Sequence, residues 1–143
     1  MGLKQIYHGS KEYHQMVRLR DEILRKPLGL SFSPEELEDE KSDILIGAFD
    51  EEKMTGCCIL TQVSNNSVKL RQMAVLKNMQ GKGVGETIIQ FAENIARDKG
   101  YQTLTMHARD SAIGFYEKYD YKVEGEEFLE VNIPHHVMKK KLR

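Results

Sequence analysis

The sequence predicts a mixed α/β (α+β) layer structure made of one domain that spans residues 1–143. Candidate strands precede and alternate with candidate helices along the chain, which is typical of that class. A strand–helix–strand unit over 68–107 predicts a right-handed crossover between parallel strands. The length of 143 residues allows a substantial hydrophobic core and favours a single domain.

The first third of the chain predicts a short strand, a helix and a break. Residues 3–7 have strand character, and Ser10 can cap a helix over 11–25 whose apolar residues share one face. Pro27 and Gly29 then interrupt the chain.

A second helix start and three strands follow. The run Ser33-Pro34-Glu35-Glu36 is a capping box with proline at the first helical position, so a brief helix begins there. The strands are expected at 43–49, 54–63 and 68–75.

The second half predicts a long helix and three further strands. Apolar residues recur at helical spacing from Ile88 to Ala96, and Gly100 ends the run. Asp110 can cap a shorter helix. The remaining strands are expected at 103–107, 121–131 and 135–142.

Charge and targeting signals exclude several classes of partner. The net charge is −1 and the pI about 6.5, so nothing favours nucleic acid or an anionic membrane. The basic run 139–141 is read as a solvated strand end. No signal peptide or membrane-spanning run is visible, which favours a cytoplasmic protein without a membrane partner.

The two cysteines, Cys57 and Cys58, are adjacent on an expected strand, so their side chains should point to opposite faces. That placement is poor for a disulfide and fits a reducing compartment. We read them as small, half-buried apolar residues rather than catalytic thiols.

The most informative motif is the run Gln-Gly-Lys-Gly-Val-Gly at 80–85, between a strand and a helix. The first N–H groups of a helix have no intrahelical partner, and the helix dipole favours an anion beside them. A phosphate or pyrophosphate ligand is therefore expected. Glu86 follows where a Walker A loop needs lysine and Ser/Thr, and the spacing differs from a Rossmann loop. A glycine turn without a ligand stays open at this point.

Three segments together resemble the GNAT superfamily of acetyl-CoA-dependent N-acetyltransferases. They are the loop at 80–85, the run Met73-Ala74-Val75 upstream of it, and the run 112–121, which is similar to the family's Ala-x-x-Phe-Tyr-x-Lys-x-Gly-Phe segment. The tail 128–135, which ends in Ile-Pro-His, is similar to a bacterial subgroup of that superfamily.

The resemblance implies a central mixed, mostly antiparallel sheet flanked by about four helices. It implies acetyl-CoA as co-substrate, direct attack by an amine on the thioester in a ternary complex, and a small-molecule or protein amine as acceptor. It also makes a homodimer a candidate assembly, and it implies no metal. The cofactor-binding residues it implies are Met73, Ala74, Val75, Gln80, Gly81, Lys82, Gly83, Val84, Gly85, Glu86, Arg109, Ala112 and Phe115.

The same resemblance places Tyr116 as the general acid that returns a proton to the leaving thiolate, against the alternative of a core tyrosine. Arg109 departs from the family's usual asparagine, and Asp120 from its usual glycine, although aspartate tolerates a left-handed backbone. Arg109 and Lys118 can also be solvated charges.

The residue that deprotonates the amine stays open. The candidates are His107, Glu127, Glu130, His135 or a chain of waters. The acceptor pocket is expected from the first helix, the loop 25–32 and the last strands, and Arg71 is a candidate for holding an acidic acceptor group. Two further functions stay open, namely a non-catalytic acyl-CoA-binding sensor or scaffold and a nucleotide or other phosphate binder.

Overall fold

A computed structural model describes residues 2–142 and shows a seven-stranded sheet in the order β1-β2-β3-β4-β5-β7-β6. The strands are β1 Gly2–Ile6, β2 Ile44–Asp50, β3 Lys53–Gln62, β4 Ser67–Val75, β5 Thr103–Arg109, β6 Lys122–Glu130 and β7 Ile133–Lys141. The helices are α1 Lys11–Arg20, α2 Pro34–Glu38, α3 Val84–Asp98 and α4 Ile113–Glu117.

The sheet is mostly antiparallel, as the resemblance to the GNAT superfamily implied. Its one parallel pair is β4 with β5, the two strands that α3 connects. The expected strand–helix–strand unit is therefore present. The outer strand β6 is exposed along most of its length.

The sheet separates two hydrophobic clusters, one on each face. On one face α3 and α4 cover Leu70, Met106 and Ala108. On the other face α1 packs over Leu45 and Ile59. The alternation of side chains along each strand divides the sequence between these two faces.

The expected helix over 11–25 exists in two parts. The Ser10 hydroxyl accepts a hydrogen bond from the Tyr13 amide, which caps α1. The helix continues past Arg20 as a π-helical turn, Asp21–Arg25. The predicted capping box of α2 is also present, because the Ser33 hydroxyl and the Glu36 carboxylate each accept from the other residue's amide.

A buried ion pair fixes α1 to the 3₁₀ turn that follows α2. The Arg20 guanidinium donates to both carboxylate oxygens of Glu40, at 2.9 and 2.7 Å, and the Tyr13 hydroxyl donates to the same carboxylate at 2.7 Å. Arg20 and Glu40 are both buried, at 0% and 3% exposure. Two helical segments that enclose the loop 25–32 are thereby held together.

Two sequence expectations need correction. Asp110 does not cap a helix, because it is the first residue of a 3₁₀ turn and its carboxylate accepts from His136 Nδ1 at 2.8 Å. Cys57 and Cys58 do point to opposite faces, but they are fully buried rather than half-buried. Burial raises the pKa of the Cys57 thiol to about 12, which rules it out as a thiolate nucleophile at neutral pH.

Asp120 adopts the left-handed backbone expected of it, with φ of 71°. Among the helices of residues 2–142, none is both long enough and apolar enough to cross a bilayer.

Candidate active site

The parallel strands β4 and β5 separate partway along their length. Their pairing ends at Leu70 opposite Met106, although β4 continues to Val75 and β5 to Arg109. We call this opening the fork. A cleft of about 540 Å³ begins at the fork. Its walls come from the 24–30 segment, the ends of β4 and β5, the start of the α4 segment and the β6–β7 turn.

A bulge in β4 lies at the fork. Arg71 pairs with Ile59 and Ala74 with Cys57, so Gln72 and Met73 both stand opposite one residue of β3. Gln72 has a left-handed backbone, with φ of 55°, and its buried Oε1 has no hydrogen-bond partner among the described residues. The bulge turns β4 away from β5, and it leaves a buried acceptor atom in a cleft residue.

The glycine loop opens directly into α3. Gly81 and Gly83 have φ of 79° and 83°, a region that favours glycine. No side chain caps α3, so its first N–H groups lack an intrahelical partner. Gln80 Nε2 donates to the Val75 carbonyl at 3.1 Å, which joins the loop to the end of β4.

Two glycines, Gly56 on β3 and Gly85 in the loop itself, permit close packing around the start of α3. A Cβ on Gly56 would lie 2.7 Å from Ile88 Cδ1 and 3.2 Å from the Ala74 carbonyl oxygen. A Cβ on Gly85 would lie 3.2 Å from Phe115 Cζ. Glycine at these two positions therefore lets the first turns of α3 approach the sheet and α4.

Tyr116 lines the cleft from α4 while its ring packs against Phe115 and Tyr121. Burial, and secondly the nearby Cys58 thiol, raises the pKa of the Tyr116 hydroxyl above its ordinary value. No hydrogen-bond partner for this hydroxyl lies among residues 2–142. It is therefore protonated at neutral pH and available as a donor.

Three of the candidate bases lie together on the other side of the cleft. His107 Nδ1 is 2.9 Å from Glu130 Oε1, and His135 Nε2 is 3.6 Å from Glu130 Oε2. All three residues line the cleft. Burial alone would raise the Glu130 pKa, but the His107 hydrogen bond and neighbouring positive charges outweigh it and leave the pKa lowered. Glu130 is thus a carboxylate at neutral pH.

The structure brings five of the expected site residues into the lining of the cleft and places the rest behind or beside it. The lining residues are Met73, Gln80, Arg109, Ala112 and Tyr116. Ala74 and Val84 are buried in the two clusters. The others form the end of β4, the turn before α3, the first turn of α3 and the packing face of α4; they are Val75, Gly81, Lys82, Gly83, Gly85, Glu86 and Phe115.

Glu127 and Lys118 are not part of this lining. Glu127 is exposed on β6 and hydrogen-bonds Asp110, which raises the Glu127 pKa. Asp110, Glu127 and His136 have ligand atoms within 4.8 Å of one another, but the group lies outside the cleft lining. Lys118 is exposed after α4.

Comparison of the sequence with models of protein families identifies the family of this chain. The sequence model described as an acetyltransferase (GNAT) domain matches residues 28–142, which is most of the chain. The chain belongs to the GNAT acetyltransferase family.

Relatives of this GNAT chain match over a shorter stretch. It is 32% identical over 81 residues to the protein YyaT of Bacillus subtilis strain 168, an alignment that covers 57% of this chain and 55% of YyaT. The chain spans about half the length of the relatives it matches.

Solved structures match over the whole fold. An aminoglycoside 6'-N-acetyltransferase complexed with coenzyme A has a TM-score of 0.86 at 17% identity, covering 100% of this chain and 98% of that one. A GNAT family acetyltransferase from Elizabethkingia anophelis with acetyl-CoA bound has a TM-score of 0.75 at 18% identity, covering 98% and 97%. At these identities the likeness shows a shared fold.

Sequence reasoning missed part of the GNAT cleft. The bulge residue Gln72 is one example, because alternating polarity along 68–75 predicts a regular strand and contains no bulge signal. Ser111 is another lining residue without a sequence signal. The loop 25–32, which the sequence placed at the acceptor pocket, lines this cleft through Arg25, Leu28 and Leu30.

Proposed function

We propose that this GNAT chain moves an acetyl group from acetyl-CoA to a primary amine, by direct attack in a ternary complex. One observation carries the proposal, namely that the fork between β4 and β5 lies beside the uncapped start of α3. Residues 1–143 act as one domain in this proposal. The two cysteines are free thiols, which suits a reducing cytoplasm.

The residues at the fork fit acetyl-CoA. The N–H groups between Gly81 and Glu86 would hold its pyrophosphate. Beyond Leu70 the β5-facing edge of β4 has no strand partner among the described residues, so Met73 and Val75 would pair with the pantetheine amides as a neighbouring strand does. A backbone N–H in the same stretch would stabilise the oxyanion.

The proton that the leaving thiolate needs is assigned to Tyr116. Its hydroxyl keeps its proton at neutral pH because burial raises its pKa, and it faces the cleft. A general acid in this place prevents a thiolate from leaving unprotonated.

The proton that the amine loses is assigned to His107. A neutral His107 whose Nδ1–H donates to Glu130 has its Nε2 lone pair free to accept a proton. His135 is less suited, because it is buried, at 4% exposure, and its Nε2 lies 3.6 Å from the Glu130 carboxylate rather than free in the cleft. Glu130 is then a positioning residue for His107.

Calorimetric titration of acetyl-CoA, with ATP as control ligand, tests whether the glycine loop at 80–85 binds the cofactor. Gly83→Ala and Gly100→Ala are matched variants, because both glycines flank α3 with positive φ, of 83° and 89°, and open space around an added Cβ. Each should lose similar stability, about 1–2 kcal/mol. Only Gly83→Ala should weaken acetyl-CoA binding.

Micromolar binding of acetyl-CoA but not ATP, followed by CoA release with an amine panel, is the expected result. Binding of ATP alone would instead support the phosphate binder. Equal acetyl-CoA affinity in the two variants would show that the glycine loop does not hold the cofactor. Binding without CoA release from any amine would support a non-catalytic acyl-CoA-binding protein.

A further inference from the structure

The charges that line the cleft are mostly positive. Three arginines line it, Arg25, Arg71 and Arg109, against one carboxylate among the described lining residues, Glu130. Glu130 already contacts two histidines. An acceptor that enters this cleft therefore meets an excess of positive charge.

Of the three arginines, Arg109 is the most available to bind an anionic ligand. It lies on β5 beyond the fork, two residues after His107, so both side chains leave the same face of the sheet. Met106 and Ala108 occupy the opposite face, under α3. Within residues 2–142 no carboxylate forms an ion pair with Arg109, whereas Arg25 is paired with Glu36 at 3.1 Å.

Arg71 is the first β4 residue beyond the last pair with β5 and is only partly engaged. Its Nη1 donates to Thr61 Oγ1 at 3.2 Å and lies 3.6 Å from Asp43 Oδ2. Among the described residues its Nη2 and Nε donors have no hydrogen-bond partner, and a third of the side chain is exposed. Because a guanidinium presents its donors as a planar fork, the unused ones can bind a carboxylate.

One wall of the cleft is apolar. Leu24, Leu28 and Leu30 line the cleft from the segment after α1. The π-helical turn and the Arg20–Glu40 pair hold that segment over β4. A ligand that fills the space between this wall and the arginines needs both an apolar part and an anionic group.

We propose that Arg71 and Arg109 bind a carboxylate of the acceptor, and that the acceptor is an amine with an apolar body and that carboxylate. This inference rests on the proposed acetyl transfer. In the bound acceptor the amine lies toward His107 and Glu130, and the carboxylate lies between the two arginines. The amine forms the new amide bond, the thioester C–S bond breaks, the amine proton goes to His107, and Tyr116 protonates the thiolate.

The same charges disfavour polycationic acceptors. Aminoglycosides carry several ammonium groups, and like charges in a partly buried cleft repel. One of the solved structures that share this fold is an aminoglycoside acetyltransferase. The fold is thus shared, while the charge of this cleft points to a different acceptor class.

The test is CoA release with matched amines, after acetyl-CoA binding has been measured on the same sample. The panel is leucine, methionine and phenylalanine, the carboxamide of each, and tobramycin. Each carboxamide keeps the amine and the side chain and removes the carboxylate charge. Its amine is also less basic, so a larger fraction of it is unprotonated at neutral pH, which favours the carboxamide and works against the proposal.

Expected results are faster CoA release with the carboxylates than with their carboxamides, and none with tobramycin. Arg71→Gln and Arg109→Gln should each raise the KM for the carboxylate amine about tenfold or more, as expected when a charged hydrogen bond is lost. The KM for acetyl-CoA should stay within about twofold. Lys99→Gln, an exposed cation outside the cleft, is the control and should change neither KM.

Three results would overturn the inference. The first is equal or faster release with the carboxamides or tobramycin, and the second is no release with any of the three carboxylates. The third is an Arg109→Gln variant that raises the KM for acetyl-CoA alone, since that arginine would then bind the cofactor. Failure of acetyl-CoA to bind at all would instead remove the proposed function beneath it.

Discussion

The Tyr116 hydroxyl is a protonated donor held in an apolar wall of the cleft, and its removal should affect turnover selectively. Phenylalanine keeps the ring that packs against Phe115 and Tyr121, so Tyr116→Phe should fold normally. We expect kcat to fall about 100-fold because the leaving thiolate loses its proton donor. Acetyl-CoA affinity from calorimetry should stay unchanged.

The control for that prediction is Tyr119→Phe, in the turn after α4, because Tyr119 also packs against Phe115 but does not line the cleft. Its turnover should equal that of the parent protein. A Tyr116→Phe protein with full turnover would return Tyr116 to the role of a core tyrosine.

Glu130→Gln should separate positioning of His107 from simple folding effects. The amide cannot supply the negative charge that holds the Nδ1–H of His107 at 2.9 Å. We expect kcat to drop roughly tenfold or more, whereas the KM for acetyl-CoA should stay within about twofold, because the amide keeps the size of the side chain but loses its charge. An unchanged kcat would argue against the His107–Glu130 assignment.

Single residues of this site were predictable where a motif carries them. Tyr116 and Gln80 were found from the segments 112–121 and 80–85, and both line the cleft. Gln72 was not, because its unpartnered oxygen arises from a bulge that local sequence does not encode. The charge pattern of the cleft could not be predicted either, because its charged residues come from four separate segments that meet only in the fold. They are Arg25, Arg71, Arg109 and Glu130.

Between elements, the buried Arg20–Glu40 pair makes the fold sensitive to acid. Burial alone would raise the Glu40 pKa, but hydrogen bonds from Arg20 and Tyr13 outweigh it and leave the pKa lowered. A lowered pKa in the folded state adds stability above the unfolded value near 4.5, and that stability is lost as pH falls through the folded value.

We therefore expect the free energy of unfolding in urea to fall below about pH 4.5 in the parent protein and less steeply in Glu40→Gln. At pH 7 Glu40→Gln should be destabilised by about 3–5 kcal/mol, because Arg20 is left buried without its counter-charge. Glu38→Gln removes an exposed carboxylate of α2 that pairs with Lys41 at the surface, so it should differ from the parent by less than about 1 kcal/mol at pH 7 and at pH 4. Identical acid limbs for Glu40→Gln and the parent would contradict the assignment.

Element positions followed closely from local signals, and the exceptions have physical causes. Ser10 and Ser33 mark helix starts, as side-chain capping predicts. Asp110 does not, because a long-range hydrogen bond to His136 on β7 takes its carboxylate. The extension of α1 by a π-helical turn also lies beyond sequence patterns, since any continuous apolar face predicts only a helix.

For the molecule as a whole, the sequence pattern predicted the α/β class and the parallel crossover, and the resemblance to the GNAT superfamily implied the mostly antiparallel sheet. It did not predict which side chains meet across the fork, because that depends on where the pairing of β4 and β5 stops. Pairing stops at Leu70 and Met106, so Arg71 and His107 become the first residues of the opening. A shift of one pair would exchange which faces those side chains occupy.

Beyond the fork one edge of β4 has no strand partner among the described residues, so a ligand that binds there should change the melting temperature of the protein. A molecule with amides that docks along the free edge of β4 acts as an added strand, so its binding energy joins the stability of the native state by thermodynamic linkage. At a concentration of 100 times Kd such a molecule adds about 2.7 kcal/mol. The melting temperature would then rank acyl groups and acceptors by affinity, whether or not any of them reacts.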